Sequence, residues 1–175
     1  AFDAIQQEVD IPGLLAVAKT STHPQPQSKD AEPSAPAQGI HPLTQLGNSE
    51  RLVDALGHVL SYSPELGWLM YDGTRWRHVE DEEVEHLAKA VVRSIHHEAG
   101  SEDDAERRSA ISKWARTSEA KANITAMVSL AKGAVFARLN CFDQHSNLFN
   151  VANGTLDLNT QTLRPHDPQD LLTVV

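Results

Sequence analysis

An amphipathic stripe between residues 84 and 95 constrains the fold most strongly. Apolar residues recur there at i, i+3, i+4, i+7, i+8 and i+11: Val84, Leu87, Ala88, Val91, Val92 and Ile95. At 3.6 residues per turn, all six share one face of a helix. Acidic residues at positions 81–83 suit the positive start of a helix, and Gly100 suits its end. The sequence therefore predicts a helix of about twenty residues that packs one face against a core.

Two further helices are predicted after this one. The first covers residues 103–116 and turns Ile111, Trp114 and Ala115 inward. The second begins near Ser118 and stops at Gly133. Its expected buried residues are Ala120, Ile124, Met127, Val128 and Ala131.

Short strands are predicted before and after the helices. Upstream, Asn48 or Ser49 is expected to cap a short helix that Gly57 ends, because both side chains favour that position. Three strands should follow, at residues 59–62, 68–71 and 75–79. Asp72 and Gly73 form a hairpin signal between the last two strands, and this hairpin is expected to bring Trp68 and Trp76 together.

The end of the chain predicts further strands over residues 148–165. Asn153 and Gly154 provide a second hairpin signal there, because both residues tolerate a positive φ. Strands, then helices, then strands favour an α+β fold, with a helical core of about three helices flanked by short β-hairpins.

Composition divides the chain into three parts. Residues 20–42 are rich in Pro, Ser and Gln and are expected to form a disordered linker. Residues 1–19 are expected to be the end of an upstream module or a docking segment, and residues 43–175 the folded domain. Together with the apolar end at residues 173–175, the missing Met at position 1 favours a piece of a longer polypeptide, and removal of a Met by processing is the alternative.

Charge is distributed unevenly along the chain, whose formal net charge is −9. Residues 78–106 carry ten acidic side chains against two basic ones, whereas residues 107–140 carry seven basic side chains against one acidic. Screening limits each patch to a reach of about 8–10 Å, so the basic part retains its own character. The single cysteine and the absence of a long apolar run favour a reducing, cytoplasmic location.

Two sequence blocks resemble a known family. The first is GNSERLVDALG at 47–57 with LGWLMYDGTRW at 66–76, and the second is LFNVANGTLDLNTQTLRPHDPQDLLT at 148–173. Together they resemble the domain that precedes the superfamily 3 helicase in phage and plasmid primase–helicases, a group that includes the poxvirus primase–helicase. The resemblance covers roughly residues 43–175.

The resemblance implies a non-catalytic domain that links a primase to a helicase ring and contacts template DNA. Its implied partners are the primase and helicase domains of the parent protein, an ATP-dependent enzyme, together with single-stranded or template DNA. Homo-oligomeric assembly would occur through the parent protein, and no cofactor or membrane is implied. The sequence itself has no phosphate-binding G-x-x-x-x-G-K-[ST] loop, so it predicts no ATPase activity for this part.

Six basic residues are the candidate DNA contacts: Arg107, Arg108, Lys113, Arg116, Lys121 and Lys132. Lys121 and Lys132 recur at helical spacing with Thr125 and Ser129, which predicts a polar ridge able to meet phosphates. The alternative, that these cations are solvated or pair with the preceding acidic helix, remains open.

Two other functions remain open. One is a protein-docking adaptor that uses the acidic helix and does not bind DNA. The other is a small metal-dependent hydrolase, for which the candidate ligands are His145, His166, Asp143, Asp157 and Asp167. No metal site is predicted on the acidic helix, because Lys89 and Arg93 would repel a cation beside Glu82 and His86.

Overall fold

The computed structural model describes residues 41–174, which adopt a mixed α+β fold. The expectations for residues 1–19, and for the linker up to residue 40, lie outside the described residues. The helices are α1 (Gln45–Leu56), α2 (Asp81–Gly100), α3 (Ala105–Ser118) and α4 (Lys121–Ala134). The strands are β1 (Leu60–Ser63), β2 (Gly67–Tyr71), β3 (Trp76–Val79), β4 (Leu148–Val151), β5 (Gly154–Asp157) and β6 (Thr162–Arg164).

Helices α2, α3 and α4 confirm most of the periodicity predicted from the sequence. All six stripe residues of α2 are buried, and the Glu80 and Glu83 side chains close a capping box at its start. In α3, Ile111 and Ala115 are buried. In α4 the prediction was wrong for Ala120, which is the exposed N-cap, and the helix continues past Gly133 to Ala134.

The first sheet is an antiparallel meander in the order β1-β2-β3. One of its faces contributes Trp68, Met70 and Val79 to the main core, which helices α1, α2 and α4 complete. The opposite face carries Leu69 and Trp76, and Phe142 covers them. The chain therefore wraps both faces of this small sheet.

Trp68 and Trp76 lie on opposite faces of the sheet, so the prediction that they pack together was wrong. The β2–β3 register places Trp76 opposite Tyr71 and Val79 opposite Trp68. Because side chains alternate between faces, Trp76 shares its face with residues 69 and 71. Trp68 instead meets Tyr62 edge-on, with ring centroids 5.3 Å apart.

Helix α1 begins one turn earlier than the sequence predicts. Thr44 is the N-cap, and its hydroxyl oxygen accepts a hydrogen bond from the backbone N–H of Gly47 at 3.0 Å. Asn48 and Ser49, the expected caps, lie inside the helix and are buried. Gly57 follows the last helical residue, as predicted, but in ordinary right-handed geometry.

The second sheet has the order β4-β5-β6 and is also antiparallel. Gly154 begins β5 with a φ of +152°, directly after the turn at residues 152–153. A Cβ at this glycine would collide with the backbone carbonyl of Arg164, so the position requires glycine. The second sheet is joined to the first by a hydrogen bond of 2.8 Å from Asn150 Nδ2 to the carbonyl of Thr74.

The end of the described chain folds back over the first sheet. The indole Nε1 of Trp76 donates to the carbonyl of Pro168 at 2.8 Å, and the backbone N–H of Trp76 donates to that of Leu172 at 2.8 Å. The Arg164 guanidinium pairs with Asp170 and stabilises the short 3-10 helix Pro168–Asp170. The sequence RPHDP is therefore part of a structured connection between the two sheets.

Candidate nucleic-acid interface

The corner between α3 and α4 carries three of the six candidate cations. Asp104 is the N-cap of α3, and its Oδ1 accepts a hydrogen bond of 2.7 Å from the backbone N–H of Arg107. Only Glu119 and Ala120 separate α3 from α4, so the first turn of α4 follows the last turn of α3 closely. Asn123 braces this corner, because its Nδ2 donates to the carbonyl of Thr117 at 2.7 Å.

Three of the six predicted cations are exposed at this corner: Lys113, Arg116 and Lys121. None of their side chains has an ion pair or hydrogen bond within residues 41–174. Lys113 and Arg116 are three residues apart on α3, on the side away from the buried Ile111 and Ala115. Their charges are therefore available to a ligand in solution.

One acidic side chain, that of Glu119, belongs to the same corner and contacts a histidine of α2. Glu119 lies between the two helices, and its Oε1 contacts His96 Nε2 at 3.2 Å. Glu119 contributes one negative charge beside three exposed cations, so the charges of these four residues sum to a positive value.

Arg107 and Arg108 are engaged by the loop before α3. Arg107 Nε lies 3.0 Å from the carboxylate of Glu102, and Arg108 Nη1 donates to the backbone carbonyl of Glu102 at 2.9 Å. Both residues remain exposed, but an anion would have to compete with contacts within the protein.

Lys132 is separated from the other cations and faces the acidic start of α2. Its Nζ lies 3.9 Å from Asp81 and 4.6 Å from the ring centroid of Tyr62. Thr125, on the same predicted ridge, donates to Glu85 of α2 at 3.0 Å. The alternative left open by the sequence, pairing with the acidic helix, therefore describes this side of α4.

The three carboxylates among the candidate hydrolase ligands accept hydrogen bonds within the domain. Asp143 accepts hydrogen bonds from the backbone and hydroxyl of Thr173, Asp157 from Asn147 and Asn159, and Asp167 from the backbone of Gln169. Both ring nitrogens of His166 are buried without a hydrogen-bond partner. Within residues 41–174 no group of three His, Cys, Asp or Glu side chains is arranged to hold a metal ion.

The first sequence block opens with the pattern Gly47-Asn48-x-x-Arg51, and packing explains it. A Cβ at Gly47 would collide with the carbonyl of Pro42. Asn48 donates to Ser118 Oγ at 2.9 Å and accepts from Trp114 Nε1 at 3.0 Å. The hydrogen bonds of Asn48 therefore hold α1 against α3.

Arg51 completes this pattern as a buried charge. Its Nε and Nη2 each lie 2.8 Å from a carboxylate oxygen of Glu98 on α2. Its remaining hydrogen-bond donors reach the carbonyls of Pro42 and His41. Sequence reasoning gave Arg51 no role, because its carboxylate partner Glu98 lies 47 residues further along the chain.

The fold and the site together define a small α+β domain with a cationic helix corner. A family model described as "D5 N terminal like" matches residues 49–175, and the chain belongs to this family. The family is a non-catalytic N-terminal domain found in primase–helicase proteins of phage and poxvirus type, which gives the chain a DNA-replication context. No curated protein matches the chain. Across the part that the structure describes, no helix is both long and apolar enough to span a bilayer.

Proposed function

We propose that this chain is a cytoplasmic, non-catalytic domain of a phage or plasmid primase–helicase, which connects the primase to the helicase ring and contacts template DNA. The family match supports the primase–helicase context of this proposal. The observation that supports DNA contact is the group of unpaired cations at the α3–α4 corner, Lys113, Arg116 and Lys121.

Phosphate contact is the chemistry that such a corner performs best. Lysine and arginine bind nucleic acid by neutralising phosphates and releasing counterions, without reading the base sequence. Two cations on the last turns of α3 and one at the first residue of α4 provide a short track for successive phosphates. Such contacts position a strand rather than specify its sequence.

The net charge of −9 limits how strong this binding is. The acidic residues at positions 78–106 repel a polyanion at low salt, where the Debye length reaches about 30 Å. We therefore expect weak binding by the isolated chain. Within the parent protein, neighbouring DNA-binding domains would raise the effective concentration of the strand.

Fluorescence anisotropy of a labelled single strand tests the proposal. The triple variant Lys113→Glu, Arg116→Glu, Lys121→Glu should lose binding. The matched control is Lys89→Glu, Arg93→Glu, Arg138→Glu, which makes the same change in net charge at three exposed cations elsewhere. Equal loss in both triple variants would contradict a defined contact site.

A protein-docking adaptor is the second candidate, and the exposed apolar side chains of Phe149, Leu158 and Leu163 on the second sheet favour it. In that case the folded chain would show no binding to a single strand even at low salt.

A further inference from the structure

The second sheet carries an apolar face that no described residue covers. Cross-strand pairing aligns Phe149, Leu156 and Leu163 in one row. Val151 lies two positions beyond Phe149, and Leu158 two positions beyond Leu156, so both extend the same face. Phe149, Leu158 and Leu163 are each about half exposed, at 52%, 49% and 49%.

The opposite face of this sheet packs against the rest of the domain. Thr155 is 1% exposed, Asn150 donates to the Thr74 carbonyl, and Arg164 pairs with Asp170. The polar residues of these strands are thus turned inward and the apolar residues outward. This inverted arrangement favours a covering partner for the outer face.

The size of the face indicates what kind of partner covers it. Its exposed side chains present roughly 350 Å² of apolar surface, within the range of functional patches on single proteins. A stable contact between free proteins needs about 800 Å² on each partner. A second copy of this chain would therefore gain too little from this face alone.

A tethered segment needs far less area, and the chain contains one of suitable composition. Residues 2–17 carry seven large apolar side chains: Phe2, Ile5, Val9, Ile11, Leu14, Leu15 and Val17. The face has no charged side chain in its apolar rows, so it suits a segment dominated by such residues.

The intervening chain is long enough for this contact. Residues 18–40 separate the segment from the described domain, and an extended chain spans about 3.3 Å per residue, or roughly 75 Å here. A domain of about 130 residues has a radius of gyration of only about 14 Å. Tethering also gives an effective concentration in the millimolar range, which offsets the small contact area.

We propose that residues 2–17 dock on the apolar face formed by Phe149, Val151, Leu156, Leu158 and Leu163. This contact would tie whatever precedes the linker to the second sheet of the domain. It does not depend on DNA binding and can be tested separately from it.

Paramagnetic relaxation enhancement in the full chain tests the contact. A spin label is attached at Glu8→Cys, in a Cys141→Ser background because Cys141 is exposed. The methyl signals of Val151, Leu158 and Leu163 should lose most of their intensity. The methyl signals of Leu130, which is 46% exposed on α4, should keep theirs.

Two matched variants separate docking from non-specific contact. Leu163→Gln should restore the methyl signals of Val151 and Leu158, whereas Leu130→Gln should leave their broadening unchanged. A change within the segment, Leu14→Gln with Leu15→Gln, should also restore them without altering the described domain. Core methyl shifts report whether each variant is folded.

The proposal is overturned if the label leaves the face signals unchanged or broadens the Leu130 signals equally. Mixing a spin-labelled chain with an isotope-labelled, spin-free chain provides the remaining test. Broadening in that mixture would assign the face to a second copy of the chain and would equally overturn docking within one chain.

Discussion

Replacing Asn48 with alanine tests whether its hydrogen bonds to α3 stabilise the fold. The side chain is fully buried and forms two hydrogen bonds, to Ser118 Oγ at 2.9 Å and from Trp114 Nε1 at 3.0 Å. Each lost bond contributes about 1 kcal/mol, and leaving buried partners unsatisfied adds roughly 1 kcal/mol or more. We expect Asn48→Ala to lower the free energy of unfolding by about 3 kcal/mol.

Urea unfolding followed by tryptophan fluorescence measures this effect. With a slope near 1.5 kcal/mol per molar, the midpoint should fall by about 2 M while the slope stays unchanged. Gln45→Ala is the control, because Gln45 is an exposed amide on the same helix that bonds Asn123 at 2.8 Å. That control should cost less than about 1 kcal/mol. Equal costs for the two variants would refute the reasoning, because burial would then make no difference.

Three further predictions concern single positions. Burial lowers the pKa of His58 below its usual 6.5, so the unfolded state binds more protons than the folded state in this range. The free energy of unfolding should therefore fall as the pH drops below about 6.5. His58→Gln should flatten this dependence in unfolding midpoints measured from pH 7 to 5. Gly154→Ala should lower the free energy of unfolding, measured in urea, by about 2 kcal/mol or more, because the position has a positive φ and a Cβ would clash with a backbone carbonyl. The control Gly133→Ala lies in open space on α4 and should raise it by about 0.5 kcal/mol. Arg51→Lys keeps the charge but loses the two-nitrogen contact and a carbonyl contact, so thermal unfolding should show a loss of about 2 kcal/mol; an unchanged melting temperature would contradict that role.

Local patterns predicted those elements whose cause is local. The α2 stripe, the acidic start of that helix and the two hairpin signals depend on residues within a few positions of one another, and all appear in the structure. Helical periodicity also identified Ile111 and Ala115 as buried.

Two of the errors concern contacts between distant residues. Asn48 has the chemistry of a cap, but burial against Ser118 and Trp114, some 70 residues away, places it inside the helix. Trp68 and Trp76 were expected to meet, but the strand register assigns them to opposite faces. No local rule contains either fact.

The candidate site shows the same limit. Helical spacing grouped Lys121 with Lys132, yet the position of α2 brings Asp81 to Lys132 and leaves Lys121 open. Similarly, alternation along β4 and β5 shows two faces but not which one the rest of the domain covers. The interface prediction for the six cations therefore concentrates on three of them.

The salt dependence of single-strand binding tests the central claim most directly. If Lys113, Arg116 and Lys121 each neutralise one phosphate, the plot of log K against log salt should have a slope of about −2, from roughly −0.7 per contact. The charge-reversed triple variant should show no measurable binding. A native chain that fails to bind at low salt while folded, or a triple variant with the same slope as the native chain, would contradict DNA contact at this corner.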